Sequence, residues 1–366
     1  MWAGILLMTL LLSGAGVCYL VSKISGLGFV GALSGERKHL RILMGFLIVA
    51  VLFAVLTFAS GFVNAVIVLI HFTVFYLFCD LFFYLGAKVF SRPGNPYAVA
   101  LCTVLLSAVY LFIGWSNFHN VRRTSYQIET EKEVPEGLRI AQIADAHIGT
   151  GFTAEGFAGH MKKIEAEEPD LIVITGDFAD DSTTYQDFTE CCAVLQDIRT
   201  RYGIFYVFGN HDKGMGRGRG YGSREIVEEF AKNGVRVLED EWVPIGDSVI
   251  LVGRKDRSDR SRKAMEELCK DLPEEKYRVV LDHQPNSYQE EAESGTDLVL
   301  SGHTHGGQFL PVLRAGEWLG VNDCTYGHEK RGNTDFIVTS GIADWAIKLK
   351  TGCFSEYVII DIGEER

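Results

Sequence analysis

The stretch LRIAQIADAHIG, residues 138–149, joins an apolar run rich in β-branched side chains to a short polar segment. Four later stretches share this form: DLIVITGDFAD at 170–180, GIFYVFGNHD at 203–212, YRVVLDHQP at 277–285 and DLVLSGHTHGG at 297–307. Apolar runs of this length are typical of strands that are buried on both faces. We therefore predict five buried strands whose C-terminal ends present polar side chains at one edge of a sheet.

Helical and strand patterns surround these five runs. Helices are predicted over residues 154–168, 184–201, 223–233 and 261–272. Further strands are predicted over residues 122–133, 248–253, 336–340 and 357–362. Strands that alternate with helices and are followed by more strands indicate a layered α/β domain with two sheets.

The first 120 residues differ from the rest of the chain in composition. They contain four apolar stretches, each close to the roughly 20 residues needed to cross a hydrocarbon core, at 1–22, 42–60, 62–87 and 97–118. Four apolar stretches so close together would have no soluble partner to cover them. We predict a four-helix transmembrane bundle over residues 1–120 and a soluble domain over 121–366.

Two ionisable side chains of the third span, His71 and Asp80, interrupt this apolar pattern. Such groups at membrane depth are usually functional or paired. Asp80 lies near the end of the span and close in sequence to Lys88, so a polar lock is the alternative to a functional role.

Basic residues in the short loops predict the orientation of the spans. Six of them lie in the loops after spans one and three, at Lys23, Arg37, Lys38, Arg41, Lys88 and Arg92. Only Arg122 and Arg123 follow span four. Because loops rich in Lys and Arg are retained in the cytoplasm, we expect a multi-pass cell-membrane protein whose large domain is extracytoplasmic.

The chain carries a formal net charge of −12 at pH 7, so no basic field would attract nucleic acid. Five of its eight cysteines lie outside the predicted spans, without regular spacing. This pattern predicts neither a disulfide framework nor a CxxC zinc site.

The five strand ends together supply carboxylates, imidazoles and an amide. The set comprises Asp145, His147, Asp177, Asp180, Asn210, His211, Asp212, His283, His303 and His305. These are borderline to hard ligands, and a mixture of them without thiolate favours a catalytic metal site over a closed structural zinc site. About seven such side chains would suffice for two metals that share a carboxylate.

These motifs, in this order, resemble the signature of the calcineurin-like metallophosphoesterases, and the resemblance covers about residues 138–362. SGHTHGGQ at 301–308 is similar to the membrane-associated bacterial branch that includes YkuE and the UDP-2,3-diacylglucosamine pyrophosphatases. The resemblance implies a four-layer α-β-β-α sandwich, in which two mixed sheets are flanked by helices.

The resemblance also implies two divalent metal ions, Mn, Zn or Fe, and a role for each ligand. Asp145, His147 and His305 would hold one ion, and Asn210, His283 and His303 the other. Asp177 would bridge both ions. Hydroxide activated between the metals would attack phosphorus, while His211, oriented by Asp180, would protonate the leaving oxygen.

The residues after Asp180 depart from one branch of this family. The family's protein Ser/Thr phosphatases carry Arg-Gly there, whereas this chain has Asp181 and Ser182. This difference argues against a protein phosphatase.

Two further segments have an alternative interpretation each. The Gly-rich segment KGMGRGRGYGSR at 213–224 contains Lys213, Arg217, Arg219 and Arg224. This basic loop would bind a second phosphate or an anionic headgroup, or would form a solvated loop. Residues 309–313 would line an acyl groove or form a plain strand.

The sequence therefore predicts a membrane-anchored hydrolase of a phosphodiester or pyrophosphate bond in a lipid-linked substrate. A water-soluble or cell-wall phosphodiester is the alternative substrate. A membrane sensor that only binds a phosphorylated ligand through this fold is the alternative class of protein.

Overall fold

The structure, a computed structural model, describes residues 2–91, 93–135, 137–213 and 219–363, with only the backbone for residues 2–10. Arg92 and Arg217, which carried sequence predictions, lie outside these residues. The chain forms two compact units, residues 1–113 and 114–366.

The helices of the N-terminal part are α1 (Trp2–Ser25), α2 (Gly28–Leu33), α3 (Lys38–Ser60), α4 (Phe62–Val89) and α5 (Pro96–His119). Within the described residues, α3, α4 and α5 are long and apolar enough to cross a membrane. In α1 the described side chains leave a shorter apolar stretch, Leu11–Ser25. Three predicted spans are therefore confirmed in length and composition, and the count of four is not.

Asp80 of α4 has two partners on α1. Its Oδ2 lies 2.6 Å from Lys23 Nζ and accepts a hydrogen bond of 3.2 Å from the Tyr19 hydroxyl. These contacts favour the polar-lock interpretation of Asp80, although the partner is Lys23 and not Lys88.

Two six-stranded sheets form the core of the C-terminal unit. The first contains, in spatial order, β1 (Arg122–Ile128), β12 (Glu356–Ile362), β2 (Leu138–Ile143), β3 (Leu171–Thr175), β4 (Ile204–Val207) and β5 (Val235–Val237). The second contains β10 (Gly327–Arg331), β11 (Thr334–Val338), β9 (Leu298–Ser301), β8 (Tyr277–Leu281), β7 (Val249–Gly253) and β6 (Glu241–Ile245). Both sheets are mixed, because the pairs β12–β2, β10–β11 and β6–β7 are antiparallel and the others are parallel.

Helices cover the outer face of each sheet. The first sheet packs against α6 (Ala154–Glu165), α7 (Tyr185–Gln196) and α8 (Ser223–Lys232), and the second against α9 (Met265–Cys269) and α10 (Tyr288–Glu293). A short helix α11 (Ala315–Trp318) and a 3₁₀ turn at His305–Gly307 follow β9.

Alternate side chains of β3 show how the layers form. Ile172 and Ile174 point to the helices of the first sheet, whereas Leu171 and Val173 belong to the core between the two sheets. This period of two, with apolar residues on both faces, is what a central strand requires. The predicted four-layer α-β-β-α sandwich is confirmed.

Some predicted elements differ from the structure. The helix predicted over 261–272 is reduced to α9, because the Asp259 side chain accepts the backbone N–H of Ser261 and holds a turn there. The strand predicted over 122–133 ends at Ile128. Residues 309–313 contain bends and turns instead of a strand.

The five motif-bearing strands are confirmed as β2, β3, β4, β8 and β9. The first three run parallel in one sheet, and the last two run parallel in the other. Across the sheets, Gln142 Nε2 of β2 donates to the Ser301 carbonyl of β9 at 3.0 Å, and His283 Nδ1 after β8 lies 2.8 Å from the Thr175 carbonyl oxygen of β3. All five polar loops therefore converge on one region of the domain.

We expect Phe178→Ala to destabilise the protein by about 3–5 kcal/mol, the usual cost of deleting a buried phenyl ring. Phe178 is fully buried between Asp177 and Ala179, and its ring packs against Phe157 and Phe230 at centroid distances of 5.5 and 5.2 Å. Thermal unfolding of the purified full chain measures the loss, and Phe178→Leu, which fills most of the volume, should lose much less. An Ala variant as stable as the wild type would contradict the contribution of the Phe178 ring to the core.

Candidate metal centre

Nine of the predicted site residues follow the five strands, and the structure collects them in one buried cluster. The first sheet supplies Asp145 and His147 after β2, Asp177 and Asp180 after β3, and Asn210 and His211 after β4. The second sheet supplies His283 after β8, and His303 and His305 after β9.

Asp145, His147 and His305 form the first potential metal-binding group. Each offers a ligand atom, and these atoms lie within 4.8 Å of one another. The His305 Nε2 atom is 3.8 Å from Asp145 Oδ1, and the rings of His147 and His305 lie 5.4 Å apart. This is the trio that the resemblance assigned to one metal.

Asp177, His283 and His303 form the second group, by the same distance criterion. His283 Nε2 lies 3.1 Å from Asp177 Oδ2, and its Nδ1 lies 2.8 Å from the Thr175 carbonyl oxygen. Because only an N–H can bond to that carbonyl, Nδ1 carries a proton, and Nε2 is the ring atom that faces the site.

Asp177, a member of the second group, also faces the first group. Its Oδ2 faces His283 of the second group at 3.1 Å and His147 Nε2 of the first at 3.9 Å. A carboxylate oxygen between two ligand sets has the position of a bridging ligand. The bridging role itself stays a prediction.

Five of these residues have left-handed backbone conformations that side chains other than glycine rarely adopt. They are Asp145 (φ 54°), His147 (39°), Asp177 (51°), His303 (72°) and His305 (49°). Such strain persists only where the surrounding structure enforces it, and it concentrates at functional sites. The cluster is therefore more than a group of ordinary turn residues.

Glycines make room for the carboxylates. A Cβ atom at Gly302 would lie 2.6 Å from Asp145 Oδ2, and one at Gly209 would overlap Asp177 Oδ1. Both glycines come directly before predicted ligands, so their lack of a side chain allows the loops to approach each other.

The histidines of the cluster differ in the direction in which their pKa values are shifted. Burial alone would lower the pKa of His283, but the Asp177 carboxylate raises it well above its usual value. Burial lowers the pKa of His303 to about 4, and the charge of His283 adds to the shift. Burial and the neighbouring His147 also hold the pKa of His305 well below its usual value. His303 and His305 are therefore neutral near pH 7, the form that binds metal.

Several buried polar atoms of the cluster have no hydrogen-bond partner among the described residues. They include Asn210 Oδ1, His147 Nε2 and His283 Nε2. An unsatisfied buried polar atom typically costs about 1–3 kcal/mol. Once the imidazoles have released any proton at Nε2, all three atoms can donate a lone pair to a divalent cation, so the residues present fit a two-metal centre.

The Asp180 carboxylate contacts His147 and its own turn, so its predicted role toward His211 stays a prediction. The Asp180 Oδ2 atom lies 3.4 Å from Nδ1 of His147, and Oδ1 accepts hydrogen bonds of 2.7 Å from Ser182. The turn through Ser182 and Thr183 fixes the carboxylate toward His147, on the side of the ring away from Asp177. Asp180 thus lies behind a predicted ligand.

His211 is held by other contacts. Its backbone N–H donates to Asp177 Oδ1 at 2.8 Å, and its ring stacks on Trp345 with centroids 5.9 Å apart. The ring is half-buried at the margin of the cluster.

Asp344 is a buried site residue that the sequence analysis missed. Its Oδ2 lies 3.5 Å from Nδ1 of His305 and accepts a hydrogen bond of 2.5 Å from Gln308. Asp344 lies near Nδ1 of His305 in the same way that Asp180 lies near Nδ1 of His147. The sequence pattern could have indicated Asp344 as a site residue, because it follows the apolar run of β11, a strand that runs parallel to β9.

Asp212 connects two of the motif loops. Its carboxylate accepts the backbone N–H groups of Asp177, Ala179 and Gly209 at 2.6, 2.9 and 2.8 Å. Burial and the nearby Asp177 charge raise the pKa of Asp212 to about 6. The loops after β3 and β4 are thereby held in a fixed mutual position.

The arginines of the Gly-rich segment have protein partners where the structure describes them. Arg219 donates to the backbone carbonyls of Asp180 and Asp212 and lies over the Tyr221 ring. Arg224 is exposed on α8 and pairs with Glu228 at 2.8 Å. Their predicted contact with substrate, and that of Arg217, stays a prediction.

Residues 138–307 match the family model described as calcineurin-like phosphoesterase. An uncharacterized metallophosphoesterase of Aquifex aeolicus is 33% identical over 200 residues, which cover 52% of this chain and 72% of the relative. The uncharacterized metallophosphoesterase YkuE of Bacillus subtilis is 29% identical over 197 residues, covering 52% and 67%. A transmembrane protein with metallophosphoesterase domain from Danio rerio is 24% identical over 277 residues, covering 73% and 63%.

The chain therefore belongs to the calcineurin-like metallophosphoesterases, as its motifs indicated. Its similarity to YkuE is confirmed. The likeness to the UDP-2,3-diacylglucosamine pyrophosphatases stays a prediction.

We expect His305→Ala and His303→Ala each to remove about half of the bound metal, because they belong to different groups and binding needs each complete ligand set. Elemental analysis of the purified full chain measures the stoichiometry. His328→Ala, which removes a histidine of β10 paired with Asp335, is the matched control and should retain all metal. Full metal retention in both site variants would contradict the ligand assignment.

We expect Asp344→Asn to weaken metal binding by about 10–100-fold, the usual effect of removing a carboxylate behind a ligating histidine. Asp180→Asn should act similarly through His147. Competition with a fluorescent chelator measures the affinity, and Asp181→Asn, at an adjacent exposed position, is the control. An unchanged affinity in both site variants would refute the positioning role.

Proposed function

We propose that this protein is a membrane-anchored, two-metal phosphoesterase that hydrolyses a phosphodiester or pyrophosphate bond of a lipid-linked substrate. The observation that carries the proposal is the pair of Asp/His groups that approach each other through Asp177. The family to which the chain belongs and its membrane-length helices support it.

The metal-binding residues are those of the two groups together with Asn210. Asp145, His147 and His305 would hold one ion, Asn210, His283 and His303 the other, and Asp177 both. Two bound divalent ions supply Lewis acidity and a nucleophile at neutral pH. The donors are nitrogen and oxygen atoms, a set that suits Mn, Fe or Zn.

His211 is the proposed proton donor to the leaving oxygen. Its backbone is fixed on Asp177, and its ring is held by Trp345 at the half-buried margin of the cluster. A positioned imidazole of this kind transfers a proton to a departing alkoxide or phosphate. The aromatic stack with Trp345 would help to orient the ring, the role that the sequence analysis gave to Asp180.

The attachment of the domain to the membrane supports a lipid-linked substrate. Helix α5 ends at His119, and β1 begins at Arg122. Only two residues thus separate β1 from a membrane-length helix, a connection that would hold the catalytic domain close to the headgroups. The Danio rerio relative, by its name, combines the same two kinds of segment.

The location proposed is the cell membrane, with the catalytic domain on the extracytoplasmic side. The bias of Lys and Arg toward the loops after the first and third spans supports this orientation. The bilayer and a phosphorylated lipid are the proposed partners, and the acidic chain argues against nucleic acid.

We expect the Mn-loaded full chain to hydrolyse bis(p-nitrophenyl) phosphate, and His211→Ala to lower kcat by about 10²–10⁴-fold, the usual contribution of general acid catalysis. Metal content should stay unchanged, because His211 is not a proposed ligand. His328→Ala is again the control. Release of p-nitrophenol and elemental analysis are the two measurements.

Unchanged turnover in His211→Ala would refute the assignment of the proton donor. A wild-type protein that binds both metals but hydrolyses no phosphodiester would favour the sensor, which binds a phosphorylated ligand without turning it over.

A further inference from the structure

An exposed apolar segment follows the last metal-binding motif. Leu310, Val312, Trp318 and Leu319 are 50%, 50%, 70% and 72% exposed. We call these four residues the apolar rim. The two charged side chains between them, Arg314 and Glu317, pair with each other. Large apolar groups clustered on a surface usually mark a contact with a partner or a membrane.

The apolar rim begins directly beside the candidate metal centre. Gln308, two residues before Leu310, donates to Asp344, which lies behind His305. The carbonyl of Gln308 accepts the backbone N–H groups of Thr351 and Gly352 at 2.8 and 3.0 Å. The rim is thus fixed to the frame of the site at its first residues.

The same segment also connects to the end of α5, within one compact unit of the structure. The Leu310 N–H donates to Thr351 Oγ1 at 3.3 Å. The neighbouring Lys350 donates its N–H to the Gly114 carbonyl at 2.9 Å and accepts from Asn117 Nδ2 at 3.0 Å. Gly114 and Asn117 lie in the last turns of α5, a helix long enough to cross a membrane. The first residue of the rim, Leu310, therefore lies close to the last turns of α5.

The chemistry of the apolar rim fits a lipid surface. Tryptophan is enriched where membrane and water meet, because its ring is apolar and its N–H prefers a wet partner. Trp318 is the most exposed of the described soluble-domain tryptophans, and Leu319 is adjacent to it. The nearby end of α5 singles out the bilayer as the occupant, ahead of a second copy of the chain or another protein.

We infer that the apolar rim inserts into the membrane interface and contacts the acyl part of the substrate while its phosphate reaches the metals. The substrate part of this inference rests on the proposed function. The membrane contact does not, so it is tested separately.

The membrane contact is tested by tryptophan quenching of the full chain in nanodiscs of brominated phosphatidylcholine. The tryptophans of the chain are Trp2, Trp115, Trp242, Trp318 and Trp345. Trp318→Phe should reduce the lipid-quenchable fluorescence. Trp242→Phe is the matched control, because Trp242 is 45% exposed on β6, and it should leave that fluorescence unchanged.

Two results would overturn the membrane contact. In the first, Trp318 fluorescence is quenched by aqueous iodide and not by brominated lipid, so that the rim faces water. In the second, Trp318 is shielded from both quenchers and Leu319→Ser dissociates a dimer, so that a second copy covers the rim.

The substrate contact is tested with two aryl phosphodiesters that share a leaving group. Phosphatidyl-p-nitrophenol in phosphatidylcholine vesicles carries two acyl chains, and bis(p-nitrophenyl) phosphate carries none. The double variant Trp318→Ser/Leu319→Ser should hydrolyse the lipid probe about tenfold more slowly, since apolar burial of one or two side chains is lost. Turnover of the soluble probe should not change, and Trp242→Ser should change neither.

Equal turnover of the lipid probe by the double variant and the wild type would overturn the acyl contact. If the wild type hydrolyses neither probe, the proposed function and the acyl contact fail together, and the quenching result still decides the membrane contact.

Discussion

The carboxylate of Asp177 is the interaction on which the rest of the centre depends. One of its oxygens faces a histidine from each group, and the other accepts the backbone N–H of His211. Its own N–H is bound by Asp212, which also holds Gly209. Because one small side chain has contacts on every side, the surrounding loops have little freedom, and their left-handed backbone conformations follow.

The apolar runs made the five strands and their order at the site predictable. Burial on both faces leaves a continuous apolar signal, and parallel strands bring their carboxyl ends to one edge. The partner of Asp180 could not be read in this way, because the turn through Ser182 and Thr183 decides where that carboxylate points. Asp344 was missed although it follows an apolar strand, since a single carboxylate after a strand is an ordinary turn residue.

Predictions that needed only local composition fared best in the N-terminal part. Length and apolarity suffice to predict α3, α4 and α5, whereas the first span is not settled by its described side chains. Local pattern misled at 261–272, where a side chain bound to the backbone replaces helix with turn. Local pattern also misled at 309–313. There the Leu310 N–H donates to the Thr351 hydroxyl, the Thr351 N–H donates to the Gln308 carbonyl, and no strand ladder forms.

The short passage from α5 into β1 has a kinetic consequence for the proposed reaction. The proposed lipid-linked substrate would reach a catalytic unit that begins two residues after α5 by lateral diffusion within the bilayer plane. The rate would then follow the mole fraction of substrate among the surrounding lipids, and the bulk volume of the suspension would have no influence on it. The membrane would act as a two-dimensional solvent for this reaction.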